Sequence, residues 1–267
     1  MAVEQEQITL PSRPLDSRAS LSRVPWWLLI ILAIIAYMAI RIVVDPLYQD
    51  IFQTILGGLS TTLYVTAVSF VLALLFGLIL GLGRVSSNPI FRNLAITYIE
   101  FIRGVPMLVL IFTISFAVVP LFSRASGLPN NAVSLTTRAI IALVLIYGAY
   151  IAEIFRAGIE SIGRGQMEAA RSLGMSHVQA MRYIILPQAI RNIMPALGND
   201  LIALLKDTSL VSVLGVREMT QVSRLSVSTS FRYEETYFIL TLFYLTLTLL
   251  LSLILQWLQR RMGMQGR

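Results

Sequence analysis

Cysteine is absent from the 267 residues, which excludes disulfides, thiol catalysis and thiolate metal sites. Histidine occurs once, at His177, too few for a zinc or haem cluster. Lysine also occurs once, and Lys206 follows Leu205 rather than a glycine. A phosphate-cradling G-x-x-x-x-G-K-[ST] loop is therefore excluded; if ATP drives this protein, another chain binds it. Charged residues are scarce, at 13% against 56% apolar. No nucleophile–base pair or metal constellation is visible, which ranks an enzyme low among the possible functions.

What the sequence has in abundance is apolar runs of about 17 to 24 residues, the length that crosses a bilayer core. Six are legible: Trp26–Val44, about Leu59–Gly83, a run through about Phe122, about Arg138–Phe155, Ile193–Val216 and Thr236–Leu258. The first is too long for a signal peptide and lacks a small-residue cleavage region, so it reads as a retained span. Residues 1–24 read as a cytosolic tail, and an outer loop is expected to follow the first span up to about residue 56. In the second run Ala73, Gly77 and Gly81 recur at four-residue spacing, which suits close helix packing.

The net charge of +7 is arginine placed between apolar runs, not a nucleic-acid-binding stripe. With both termini inside, the cytosolic segments hold 13 arginines and the outer segments four, Arg124, Arg217, Arg224 and Arg232. That bias predicts an N-in, C-in topology.

Between the fourth and fifth spans lies Glu168–Pro187, EAARSLGMSHVQAMRYIILP, polar enough to sit outside the bilayer. Glu168, Ala169, Ala170 and Leu173 favour helix; Gly174 can adopt the left-handed conformation that ends it. Ser176 suits the N-cap of a second helix. An ordinary loop is the plain alternative to a docking element. The E-A-A spacing, the glycine and the following Ile-Leu-Pro resemble the EAA loop of ABC-importer permeases, the coupling helix that sits in a groove of a separate ATPase subunit.

A second segment strengthens the resemblance. Arg103-Gly104-Val105-Pro106 is similar to the R-G-x-P signature of permeases for polar amino acids, with Leu110 standing where that family leads one to expect glutamine. Pro106 should kink or restart the helix. Glu100 and Arg103, like Glu153 and Arg156, are three apart and are expected to form structural ion pairs within their helices.

Charged groups inside a span are costly, so the fifth span draws attention. At 100° per residue, Asn199, Asp200, Lys206 and Asp207 fall within an arc of about 120°, widened by Thr208 and Ser209. Lys206 and the aspartates either hold helices together or line a path, with Lys206 meeting a substrate carboxylate and Asp207 an ammonium group. The stretch Lys206–Leu210 resembles the corresponding motif of polar amino acid permeases, which makes these six residues the candidate substrate-binding set.

The resemblance covers about residue 57 to the C-terminus. It implies an all-α polytopic membrane protein of the type I ABC importer kind, with about six transmembrane helices. Residues 25–56 are then an extra first span with its outer loop, and 57–267 the permease domain, with a coupling loop at about 157–191. It further implies a bacterial cytoplasmic membrane, two ATP-binding cassette subunits and a second permease chain, the same or different. An amino-acid-binding protein outside completes the set. Surrounding lipid is a partner, nucleic acid is not. No catalytic residue, metal or cofactor is expected on this chain, with Mg-ATP on the ATPase. The alternative is an ion-coupled secondary transporter; inverted repeats would favour it, and none is visible.

Overall fold

Asp45-Pro46 ends one helix and begins another without an intervening loop. In the computed structural model, which describes residues 26–129 and 131–262, α1 spans Trp26–Val44 and α2 spans Pro46–Arg84. The expected tail, residues 1–24, lies outside the described residues. Asp45 accepts a hydrogen bond from Leu47 N at 3.0 Å, and Pro46 occupies the first helical position, where its missing N–H costs nothing. The expected outer loop up to residue 56 is therefore helix. At 1.5 Å per residue α2 is about 58 Å long, far more than the roughly 30 Å of a hydrocarbon core.

The expected third span is two elements. Asn88 caps α3, Pro89–Gly104, by accepting from Ile90 N at 2.9 Å. Val105 is extended and Pro106 precedes α4, Met107–Ala125, so the proline restarts the helix as its chemistry predicts. α3 crosses the end of α2: a Cβ at Gly83 would lie 3.3 Å from that of Ala95. Within α4 a π-helical turn at Ile114–Val118 precedes Pro120. The proline ring would crowd the carbonyl four residues back, and a widened turn relieves this. Arg138 reaches over to donate to the Ser115 carbonyl at 3.3 Å.

α5, Leu135–Glu160, is the central helix, with Ala139, Leu143, Ile146 and Ile151 fully buried. It packs along α2 on the small-residue stripe. A Cβ at Gly77 would come within 2.9 Å of the Gly148 carbonyl and 2.7 Å of Ile151 Cγ2. The stripe thus serves close packing. Gly77→Val should cost about 1–3 kcal/mol by overpacking, read as a lower midpoint when the detergent-solubilised protein is heated and its tryptophan fluorescence followed.

After α5 come α6, Arg164–Ser172, a short helical turn at His177–Ala180 and a second π turn at Met181–Ile185, again just before a proline, Pro187. α7, Leu186–Asp207, passes through Pro195 and continues as a 3-10 segment, Thr208–Leu214. Gly215 ends it at φ +84°. The remaining elements are α8, Met219–Ser230, and α9, Tyr233–Arg261.

α8 is capped by Glu218, which is fully buried and accepts from Thr220 N, Gln221 N and the Tyr244 hydroxyl at 2.8, 2.7 and 3.0 Å. Burial pushes its carboxyl up, opposed by those donors. Gly58 lets α2 approach this corner, since a Cβ there would lie 2.7 Å from Met219 N. No strand occurs among the described residues. Four helices, α2, α4, α5 and α9, are long and apolar enough to cross a membrane. α1 is shorter in its apolar part, and α7 is the polar member. The chain is a multi-pass, all-α membrane protein.

Candidate functional site

The exposed turn between α6 and α7 is built by local chemistry. Gly174 sits at φ +81°, the left-handed region that favours glycine. Its N–H donates to Arg171 O at 3.0 Å and that of Met175 to Ala170 O at 3.2 Å, the paired bonds of a Schellman cap. Ser176 and Gln179 then form a reciprocal capping box, at 2.8 and 3.2 Å. Ala170 is buried, whereas Glu168 and Ala169 are exposed. Leu173 and Val178 are 83% and 73% exposed, so each side of the glycine presents an apolar side chain to the outside.

One end of the bundle holds a cavity of about 400 Å³ lined by Arg103 of α3, Tyr150 and Glu153 of α5, Ser161, and Asn192 and Asp200 of α7. Asn192 Nδ2 donates to Ser161 Oγ at 2.8 Å, and Gly158 lets α7 close on α5, where a Cβ would collide with Ile193. Glu153 is neutralised within the wall: Arg84 Nη1 is 2.8 Å away, and Arg156 donates to both Glu153 and Glu160. Two groups of opposite charge remain available to the cavity. Asp200 keeps a buried carboxylate oxygen with no hydrogen-bond partner, and Arg103 makes none of the ion pairs among the described residues.

The expected Glu153–Arg156 pair is present. The expected Glu100–Arg103 pair is not: Glu100 approaches Arg84 at 3.6 Å, because α3 crosses the end of α2. Lys206 and Asp207, for which pairing was one of two readings, form no ion pair with each other. Asp207 accepts from the Tyr147 hydroxyl of α5 at 2.7 Å, while Lys206 is exposed and joins no ion pair among the described residues. Successive side chains are 100° apart, which divides the polar arc of α7. Asp200 and Asp207 on one edge face α5, and Asn199 and Lys206 on the other are exposed.

Thr208 is buried and donates to the Leu205 carbonyl at 2.7 Å, and Ser209 is half-buried. Of the six candidates, Asp200 alone lines this cavity. Leu110 is buried in the apolar core, so no polar contact exists where glutamine was expected. Sequence reasoning missed Tyr150, Asn192, Arg84 and Tyr147. A signal existed for two of them: Tyr150 is three residues from Glu153, and Asn192 is eight from Asp200, each on a shared face. No group of three or more metal-ligating side chains occurs among the described residues.

Known proteins share this architecture. A probable amino-acid permease of Bacillus subtilis, YxeN, is 42% identical over 212 residues, 79% of this chain and 92% of its own. The glutamine transport system permease protein GlnP of Escherichia coli is 38% identical over 208 residues, 78% of this chain and 92% of its own. Among solved structures, an amino acid ABC transporter crystallised with histidines matches at a TM-score of 0.71 and 40% identity, over 80% of this chain and 95% of that one. A chain of the MetNI methionine ABC transporter, at a TM-score of 0.64 and 20% identity, covering 80% of this chain and 97% of its own, shows the fold alone. Residues 73–264 match the family described as binding-protein-dependent transport system inner membrane component, and the chain belongs to that family.

Proposed function

We propose that this chain is the permease subunit of an ATP-driven importer of polar amino acids in a bacterial cytoplasmic membrane. The observation that carries the reading is the cavity with two groups in its wall that join no ion pair among the described residues, Arg103 and Asp200. A zwitterion leaving water needs both charges replaced, and charge-assisted hydrogen bonds replace them best. Arg103 takes the carboxylate and Asp200 the ammonium group, with Asn192 and Tyr150 beside them. Farther along α5 and α7, Tyr147 and Asp207 continue the polar column.

The exposed edge of α7 argues for company. Asn199 and Lys206 against lipid are costly, and a second permease chain, the same or different, gives them a polar path to face. The turn at Leu173, Gly174 and Val178 docks on an ATPase, one for each permease, where Mg-ATP is bound and hydrolysed. A soluble amino-acid-binding protein delivers the substrate outside. A secondary transporter has no use for such a docking turn.

The test is uptake by the chain reconstituted with its ATPase and binding protein. Labelled glutamine or another polar amino acid should accumulate only with ATP inside. Arg103→Gln and Asp200→Asn should each cut uptake at least tenfold, the loss of one charged hydrogen bond worth about 1.5–3 kcal/mol, with the ATPases still bound. Uptake driven by an ion gradient without ATP would overturn the importer, and unchanged uptake in both variants would remove the cavity from the path.

A further inference from the structure

A second groove, of about 620 Å³, separates α1 from α9. Its walls are apolar, with Ile30 and Ile34 on one side and Phe238 and Leu245 on the other. Apart from Thr241, whose hydroxyl donates to the Tyr237 carbonyl of its own helix, its polar lining is gathered at one end: Tyr37 and Arg41 near the end of α1, Tyr48 in the first turns of α2 and Glu234 in the first turn of α9. In an N-in topology all of these lie at the outer face.

The depth of the groove matches one leaflet. Eleven residues separate Ile30 from Arg41, and eleven separate Leu245 from Glu234. At 1.5 Å per residue both walls descend about 16 Å, and half a hydrocarbon core is about 15 Å. An acyl chain of an outer-leaflet lipid therefore fits the length of the groove with its headgroup at the polar end.

The polar end also selects the headgroup. The Arg41 guanidinium donates to the Tyr37 hydroxyl at 3.3 Å, lies 4.5 Å from the centre of the Tyr48 ring and 3.6 Å from Asp45. It is fixed at headgroup level and half-buried. Glu234 is exposed and joins no ion pair among the described residues. One cation and two carboxylates disfavour an anionic lipid; they suit a headgroup with a phosphate for Arg41 and an ammonium for Glu234.

We propose that this groove is a binding site for a phospholipid with a primary-ammonium, zwitterionic headgroup, of the phosphatidylethanolamine type. The lipid joins α1, which lies outside the matched residues 73–264, to α9 and the permease core. A protonated primary amine donates hydrogen bonds to Glu234 that a trimethylated amine cannot, so phosphatidylcholine is the discriminating competitor.

The full transporter is equilibrated in vesicles holding equal amounts of phosphatidylethanolamine, phosphatidylglycerol and phosphatidylcholine, then released into mild detergent and weighed intact by native mass spectrometry. Phosphatidylethanolamine should be retained at least tenfold over each competitor. Glu234→Gln should lower that preference below twofold, and Arg41→Gln should reduce retention of all three. Equal retention of the three lipids by the unsubstituted protein, a measurement that needs no variant to fold, would overturn the proposal, as would a preference for phosphatidylglycerol. Ile34→Cys, in a protein free of native cysteine, adds a check: near-complete disulfide cross-linking between two copies would show that a second chain fills the groove.

Discussion

Gly174→Asp should leave the protein in the membrane and abolish uptake. The backbone there is left-handed at φ +81°, and a Cβ would meet nothing within 4 Å. The substitution therefore carries no clash, only a conformational cost of about 1–2 kcal/mol, less for aspartate, which tolerates this region better than most residues. What it adds is a charge between the exposed Leu173 and Val178, in the centre of the proposed docking surface. Burying an unpaired carboxylate against a partner costs several kcal/mol, which is a loss of more than a hundredfold in ATPase binding. Gly174→Asn separates the two effects, since asparagine tolerates the same backbone without the charge. It should keep most of the uptake. Retention of the ATPase on an affinity tag and accumulation of labelled amino acid check both; an aspartate variant that transports at normal rates would show the turn to be an ordinary loop.

That turn was legible in the sequence because its chemistry is local. A left-handed glycine cap and a serine N-cap operate over three to five residues, so spacing alone specifies them; the reciprocal bond to Gln179 was added by the structure. The Glu153–Arg156 pair was legible for the same reason. Glu100 was not, because its partner Arg84 belongs to another helix, and only the crossing of α3 over α2 brings them to 3.6 Å. The polar arc of α7 was correctly drawn as an arc. Its division into an edge against α5 and an exposed edge depends on where α5 packs, which no single-helix pattern contains.

The start of α2 was misread for a different reason. An outer loop was expected after the first span, yet aspartate before proline, as at Asp45-Pro46, is the signature of a helix start. Ile51 and Ile55, both buried and four apart, carried the helical period that decides between the two. The helix Met219–Ser230 was not legible either: it carries no long apolar run, and it starts where the buried Glu218 caps it.

Glu153→Leu should destabilise the protein, and Arg84→Met made with it should restore most of the loss. The carboxylate is 22% exposed and the guanidinium of Arg84 18%, so both are largely withdrawn from water. Removing Glu153 alone leaves Arg156 with Glu160 but leaves Arg84 with only Glu100 at 3.6 Å. Breaking a buried pair by removing one partner costs about 3–5 kcal/mol, whereas replacing both by apolar side chains of similar size is often neutral. Partial exposure places the single variant toward the lower end of that range. A double-mutant cycle on the thermal unfolding of the solubilised transporter measures the coupling; a single variant as stable as the unsubstituted protein, or a double variant no better than the single, would show that the pair does not hold these helices. Uptake should stay low in the double variant even when its stability has returned. Glu153 lines the proposed substrate cavity as well as holding α2 to α5, and leucine there replaces a polar stretch of wall with an apolar one.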